Sequence, residues 1–530
     1  MKKKTIQSAC LWCATLIFAA LAAYLTFCSV SLYGPGLSPD STGYIRLARD
    51  IAENGFRFLT EKKAISQPPA YPLALAAVSK LTGMSVLTAA SWINTLASAT
   101  LVALVLMSVY RVTTSLSVYI ITGILSCFSI PLIQVWSMAW TEPLFILLIS
   151  LTFLVVTQTK RTAILLVAAA VLTAAACLTR YAGIVLIPVV FVFVLLSEVG
   201  TLWRRCKYAL LYALPPALVF ALYAGRNYAL SGTPLGGRSP SQMGLADNID
   251  LVTDVILGWF LPWRIRSFET LLFGGCALIG LLVWHHRHHI ARVMRQSNGI
   301  VPLSGLFFLV YAAFIVWTST TTAYDHIDNR LLSPLYPSIL IMFALLLKPE
   351  SWRSQFVRAP ALGVFCLLCV VAPLRATYST VITKANQGAG GYNSRTWQES
   401  ATLSFFRNNG QPKDEVVFSN APDVLYILSD VTANSSPAAR HYNSVSRTGV
   451  NKENVFAKYP TLDGALLVWF DKKHRDYLFT PDELATMCDL LPIEEFSDGT
   501  IYRVKSSSRV ESSNKTHGEL QNEPRRRGSF

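Results

Sequence analysis

Charge is scarce in this 530-residue chain: Asp, Glu, Lys and Arg together make up 15% of it, against 52% hydrophobic residues. The mean hydropathy is +0.41. Long stretches between residues 8 and 376 hold almost no charge. That scarcity excludes the string of soluble domains that length alone would favour. Cysteines form no disulfide framework either. Every cysteine but Cys488 lies in or beside an apolar run, and Cys366 and Cys369 are read as packed thiols inside one. Acidic residues are outnumbered, 31 to 46, for a net charge of +15. The excess positive charge sits mainly in short loops between apolar runs, which is an orientation signal rather than a nucleic-acid surface. No clear internal repeat is present, and the charges do not fall at mid-membrane. Both absences argue against a transporter or lipid flippase.

What is present is a succession of apolar runs. About eleven are near the ~20 residues needed to cross a bilayer. They lie at 9–31, 87–109, 115–133, 142–158, 163–179, 183–200, 208–226, 268–284, 301–319, 331–347 and 358–376. The first follows Lys2-Lys3-Lys4 and is longer than a signal-peptide core, so it is read as an uncleaved span. With those lysines inside, alternation puts Arg111, Lys160-Arg161, Arg204-Arg205-Lys207, His285–His289 with Arg292 and Arg295, and Lys348 with Arg353 inside as well. Every short inner turn is then basic. The histidine cluster is read as part of that signal rather than as a metal site.

The same alternation gathers another set on the outer side: Asp40, Trp140-Thr141-Glu142, Arg180-Tyr181, Arg226-Asn227-Tyr228 and Tyr324–Arg330. Polar groups at membrane depth are costly and tend to mark function. Ser38-Pro39-Asp40 has the form of a helix start, with Ser as N-cap and Pro at the first helical position. Tyr44, Ile45, Ala48, Ile51 and Ala52 recur at helical spacing, so an amphipathic helix along the bilayer surface is expected. Asp40 either complements that helix's dipole or serves as a base. Arg180, Arg226 and Arg330 either snorkel to the interface or grip a phosphate through their donor forks. Glu142 either orients an acceptor or lies at the interface beside Trp140. Tyr71, Tyr181 and Tyr228 either stack on a sugar or, the better reading, anchor at the interface.

Arg226–Leu251 is a Gly- and Pro-rich loop, followed by Val252–Trp263, an apolar piece too short to span and read as re-entrant or interfacial. Past residue 376 the composition changes. Helices are expected at 400–409, 423–429 and 481–490, and strands at 415–419, 465–470 and 500–504, which makes a small α/β domain. The division is thus 1–376 in the membrane with a first outer loop at 32–86, an extracytoplasmic domain at 377–505, and a disordered tail at 506–530.

Asp40, Pro68-Pro69-x-Tyr71-Pro72-Leu73, Thr141-Glu142-Pro143-Leu144, Thr179-Arg180-Tyr181-x-Gly183, Arg226-Asn227-Tyr228 and Asn329-Arg330-Leu331-Leu332-x-Pro334, in that order, resemble the polyprenyl-phosphate-dependent membrane glycosyltransferases of the GT-C fold. The resemblance is to the branch holding protein O-mannosyltransferases and the lipid A aminoarabinose transferase (glycosyltransferase family 39-like), and covers residues 8–376. It implies an all-α polytopic membrane protein with Asp40 as catalytic base and Arg180, Arg226 and Arg330 on the lipid phosphate. Glu142, Tyr71 and Tyr181 would lie on the acceptor or sugar. It further implies an inverting transfer from a lipid-linked sugar to a glycan, lipid or protein hydroxyl at the outer face of a bacterial inner membrane, with no further cofactor. Ser41 stands where many members carry a second acidic residue, which puts paired-carboxylate chemistry and metal binding in doubt. The alternatives are a polytopic lipid-linked-sugar transporter or flippase and a non-catalytic envelope scaffold.

Overall fold

The computed structural model describes residues 2–62, 64–65, 67–159, 162–198, 200–261, 299–323, 326–347, 358–412, 415–441 and 448–506. The expected span at 268–284, the His285–His289 cluster with Arg292 and Arg295, Lys160-Arg161, Lys348 with Arg353, Tyr324, and the tail from residue 507 lie outside these. By internal contacts the chain divides into two compact units, Met1–Ser394 and Arg395–Phe530.

The first unit is helical: α1 (Lys2–Val30), α2 (Pro39–Asn54), α3 (Ala70–Thr82), α4 (Val86–Tyr110), α5 (Leu116–Cys127), α6 (Ile130–Trp136), α7 (Glu142–Val156), α8 (Ala163–Thr179), α9 (Leu186–Ser197), α10 (Leu202–Ser231) and α11 (Leu245–Gly258). The helices Ile300–Thr321, Asn329–Leu332, Tyr336–Leu346 and Arg358–Gln387 follow. Among the described residues five stretches are long and apolar enough to cross a membrane: Ser8–Val30, Val86–Tyr110, Leu202–Ser231, Ile300–Thr321 and Asn329–Leu346. A sixth is α5 with α6, bent by 44° at the break between them. The runs expected at 142–158, 163–179 and 183–200 form the shorter apolar helices Glu142–Val156, Ala163–Thr179 and Tyr181–Ser197. The chain is an integral, multi-pass helical membrane protein.

Two expectations change here. Helix α2 starts as read, with Ser38 and Ser41 exchanging side-chain-to-backbone hydrogen bonds and Pro39 at the first position. Its apolar face, however, is covered by protein and not turned to lipid: Tyr44, Ile45, Ala48 and Ile51 are buried, and Tyr44 packs edge-on against Tyr71 of α3, centroids 5.6 Å apart. Of the apolar piece expected at 252–263, residues 252–258 are the second half of α11, which begins at Leu245 with Asp247 capping the backbone N–H of Gly244, and 262–263 lie outside the described residues.

The second unit carries a five-stranded sheet: β1 (Val417–Ser419), β2 (Asn434–Ser435), β3 (Leu466–Phe470), β4 (Asp489–Phe496) and β5 (Gly499–Lys505), in the order β2-β1-β3-β5-β4. β2, β1 and β3 are parallel; β5 is antiparallel to β3 and β4. The helix expected at 481–490 stops at Ala485, because residues from Asp489 on are needed as the hairpin partner of β5. The hairpin is closed by the two-residue turn Ser497-Asp498.

Asp498 ties that turn to the rest of the unit. It accepts from Lys472 Nζ at 2.8 Å, from the Thr402 backbone N–H at 3.1 Å, from the Thr402 hydroxyl at 2.8 Å and from Ser400. Burial pushes its carboxyl up, but the hydrogen bonds from Lys472, Ser400 and Thr402 outweigh this and hold it at about 2. A carboxyl lowered on folding stabilises fully above its ordinary pKa of about 4, and that stabilisation is lost as pH falls through the folded value. Asp498→Asn is therefore expected to lower the Tm of the second unit near neutral pH. The gap to wild type should shrink as pH is taken toward about 2, followed by thermal unfolding across that range. A gap that does not depend on pH would contradict the assignment.

Candidate active site

Four charged side chains from four parts of the first unit meet at one end of the helices. Asp40 comes from the first turn of α2, Glu142 opens α7, Arg180 follows α8, and Arg330 lies in the short helix Asn329–Leu332. Arg330 Nη1 pairs with Asp40 Oδ2 at 2.8 Å, and its Nε donates to Glu142 Oε1 at 2.6 Å. The same Glu142 oxygen also receives Arg180 Nη1, which in turn donates to the Thr141 hydroxyl at 3.0 Å. The order is Asp40–Arg330–Glu142–Arg180, two negative and two positive charges.

Exposure grades along this chain of contacts. The Glu142 side chain is 0% exposed, those of Arg330 and Arg180 are 14% and 16%, and that of Asp40 is 45%. The carboxylate that holds the arginines is thus sealed, whereas the one at the open end is accessible. Two guanidinium groups this close repel one another in a buried site, and only the shared carboxylate makes the arrangement tenable. Among the described residues, Arg330 Nη2 and Arg180 Nη2 make no hydrogen bond, so each cation keeps donors for an incoming anion.

Trp140 fastens the cluster. Its ring lies 4.4 Å from the Arg330 guanidinium carbon, and its Nε1 donates to the Ser38 hydroxyl at 2.8 Å, so one side chain joins the N-cap of the Asp40 helix to the central arginine. Trp140, Thr141 and Glu142 each contact a partner in this network, which explains why three consecutive residues of such different chemistry lead into α7.

The remaining sequence-predicted residues are placed differently. Arg226 donates to the backbone carbonyls of Leu59 at 2.9 Å and Glu61 at 2.8 Å, and to that of Phe58, with a further bond to Asn227. Tyr181 donates to the carbonyl of Ile65, beside Tyr223, which donates to that of Ala64. These three side chains clamp the main chain at residues 58, 59, 61, 64 and 65, and Ala64 is held at φ +55. Tyr71 is fully buried, its hydroxyl has no partner among the described residues, and it supports Tyr44 of the Asp40 helix. Tyr228 is exposed. Glu142, expected on an acceptor or at the interface, is instead locked inside between the arginines. Tyr44 was legible only as an apolar helical position. Trp140 was visible in the sequence, but its contact with Arg330, some 190 residues away in the chain, was not.

No family model matches the chain, and no curated protein matches it by sequence. Solved structures do match by shape. ArnT from Cupriavidus metallidurans in the apo state is similar at a TM-score of 0.60 and 13% identity, over 93% of this chain and 98% of that one. ArnT from the same organism bound to undecaprenyl phosphate gives 0.58 at 13% identity with the same coverage. The Archaeoglobus fulgidus oligosaccharyltransferase in complex with Zn and sulfate gives 0.52 at 12% identity, over 93% and 73%. The chain therefore has the fold of these membrane proteins, the GT-C fold.

Two outcomes follow from the geometry. Glu142→Ala leaves two buried guanidinium groups facing each other, and is expected to destabilise the protein by about 3–5 kcal/mol, read as a drop in Tm of the purified protein in detergent. Arg226→Ala should free the 58–65 segment and speed tryptic cleavage after Lys62. Unchanged proteolysis would show that the clamp does not hold that segment.

Proposed function

We propose that this protein is an integral membrane glycosyltransferase that moves a sugar from a polyprenyl-phosphate donor to an acceptor hydroxyl. The observation that carries this is the Asp40–Arg330 pair at 2.8 Å, an accessible carboxylate set beside a guanidinium whose second nitrogen is open among the described residues. The shape likeness to an ArnT structure that holds undecaprenyl phosphate supports the donor class.

In this reading the lipid phosphate is held by the open nitrogens of Arg330 and Arg180. Asp40 takes the proton from the acceptor hydroxyl as its oxygen bonds to the anomeric carbon. The bond from that carbon to the phosphate oxygen breaks, and its electron pair leaves with the phosphate, whose growing charge the two arginines stabilise. A single displacement inverts the anomeric centre. Glu142 contacts neither substrate; it keeps the two cations close enough to share one phosphate. The site faces the extracytoplasmic side of a bacterial inner membrane, and the acceptor is a glycan, lipid or protein reached from there.

Replacing Asp40 by Asn tests this. Envelope lipids and glycans from cells with wild-type protein, without it, and with Asp40→Asn are compared by mass spectrometry, and undecaprenyl phosphate binding is measured on both purified forms. The expected result is one sugar modification missing in the last two strains, turnover down about 10²–10⁴-fold, and binding retained. Full modification by the Asn form would sink the assignment. If that form also moved lipid unchanged between liposome leaflets, a flippase would replace it.

A further inference from the structure

We infer that the Gly388–Ser394 segment is a positioning element for Asp40, with Asn393 as its key side chain. This rests on the proposed role of Asp40 as base.

Residues 33–38 lead to Asp40 through Pro39 alone, and their backbone is gripped from two sides. On one side Gly36 N–H donates to the Ser137 carbonyl at 2.8 Å, and Ala139 N–H donates to the Gly36 carbonyl at 2.9 Å. On the other, Leu37 N–H donates to the Gly390 carbonyl at 3.2 Å, and Tyr392 N–H donates to the Leu37 carbonyl at 2.9 Å. Gly36-Leu37 is thus the middle of three parallel extended pieces. One neighbour runs on into Trp140 and Glu142; the other comes from beyond the last helix of the unit.

Asn393 locks this arrangement. It is 1% exposed, and its amide donates to the carbonyls of Tyr33 and Pro35, each at 2.8 Å. Both outer pieces are themselves held from the helices. Lys384 donates to the Ala389 carbonyl at 2.5 Å, and Asn94 donates to the carbonyls of Trp136 at 2.8 Å and Met138 at 2.7 Å. The close approach needs glycine. Gly391 sits at φ +58 where a Cβ would lie 1.8 Å from the Leu37 carbonyl oxygen, and a Cβ on Gly36 would lie 3.0 Å from the carbonyl oxygens of both Ala389 and Gly390.

Packing alone would be met by apolar contact. Here the arm that carries Asp40 is fixed by directional bonds in register with the segment that carries Glu142. Those bonds set where Asp40 meets Arg330, and a displacement of about 1 Å at a reacting group can reduce turnover about 10²-fold. Asn393 is a positioning residue and touches no substrate.

The test uses the full-length protein in detergent. Turnover is read as undecaprenyl phosphate released from a polyprenyl-lipid extract, and binding of added undecaprenyl phosphate is read separately. Asn393→Ala is expected to reduce turnover about 10–10²-fold while binding stays within about 2-fold of wild type. In an Asp40→Asn background the same change should cost nothing more, because the group it positions is gone. Should the alanine form not accumulate, Asn393→Gln, whose extra methylene carries the amide about 1.5 Å out of register with the Tyr33 and Pro35 carbonyls, is measured the same way with the same expected loss. Wild-type turnover, a parallel loss of binding, or an equal loss in the Asp40→Asn background each overturns the inference. If Asp40→Asn itself keeps wild-type turnover, the catalytic reading fails whatever Asn393 does.

Discussion

One oxygen of Glu142 accepts from two guanidinium groups, and the site depends on that sharing. Without it Arg180 and Arg330 would separate into solvent or lipid headgroups, as isolated arginines near a membrane surface do. With it they stand side by side, and Arg330 keeps one nitrogen for Asp40 and another that is open among the described residues. The sealed carboxylate sets the distance between the cations; the accessible one sits at the edge, where a hydroxyl can reach it.

A neutral network is the economical solution at the end of a helix bundle. An isolated charge there loses hydration without gaining a partner, whereas four alternating charges are each paired. The aromatic ring of Trp140 extends the same logic, giving Arg330 an electron-rich face on a side that water cannot serve. The two arms of the first loop are managed by different means. Residues 33–38 are aligned by backbone pairing on both edges, and the arm at residues 58, 59, 61, 64 and 65 is grasped through its carbonyl oxygens by the side chains of Arg226, Tyr223 and Tyr181.

Much of the helical framework was legible. Apolar runs of the right length cannot be read many other ways, and the start of α2 was spelled out by Ser38-Pro39-Asp40. The strands β1, β3 and β5 followed from short apolar runs between polar breaks. What escaped were elements whose sequence is dictated by a neighbour: β4, needed by β5 and exposed over much of its length, and the Gly-rich 388–394 segment, whose residues look like a linker because they must make room for another backbone.

The sequence by itself determined that this chain crosses membranes, and which charged residues fall at the same end of it, because hydropathy and loop charge act along the chain one segment at a time. Only the tertiary structure decided which arginine meets which carboxylate. Arg226 and Arg330 look alike in sequence, yet one is held by loop carbonyls and the other lies between Asp40 and Glu142. A guanidinium binds whatever acceptor is within hydrogen-bond reach, and that reach is fixed by how distant helices pack.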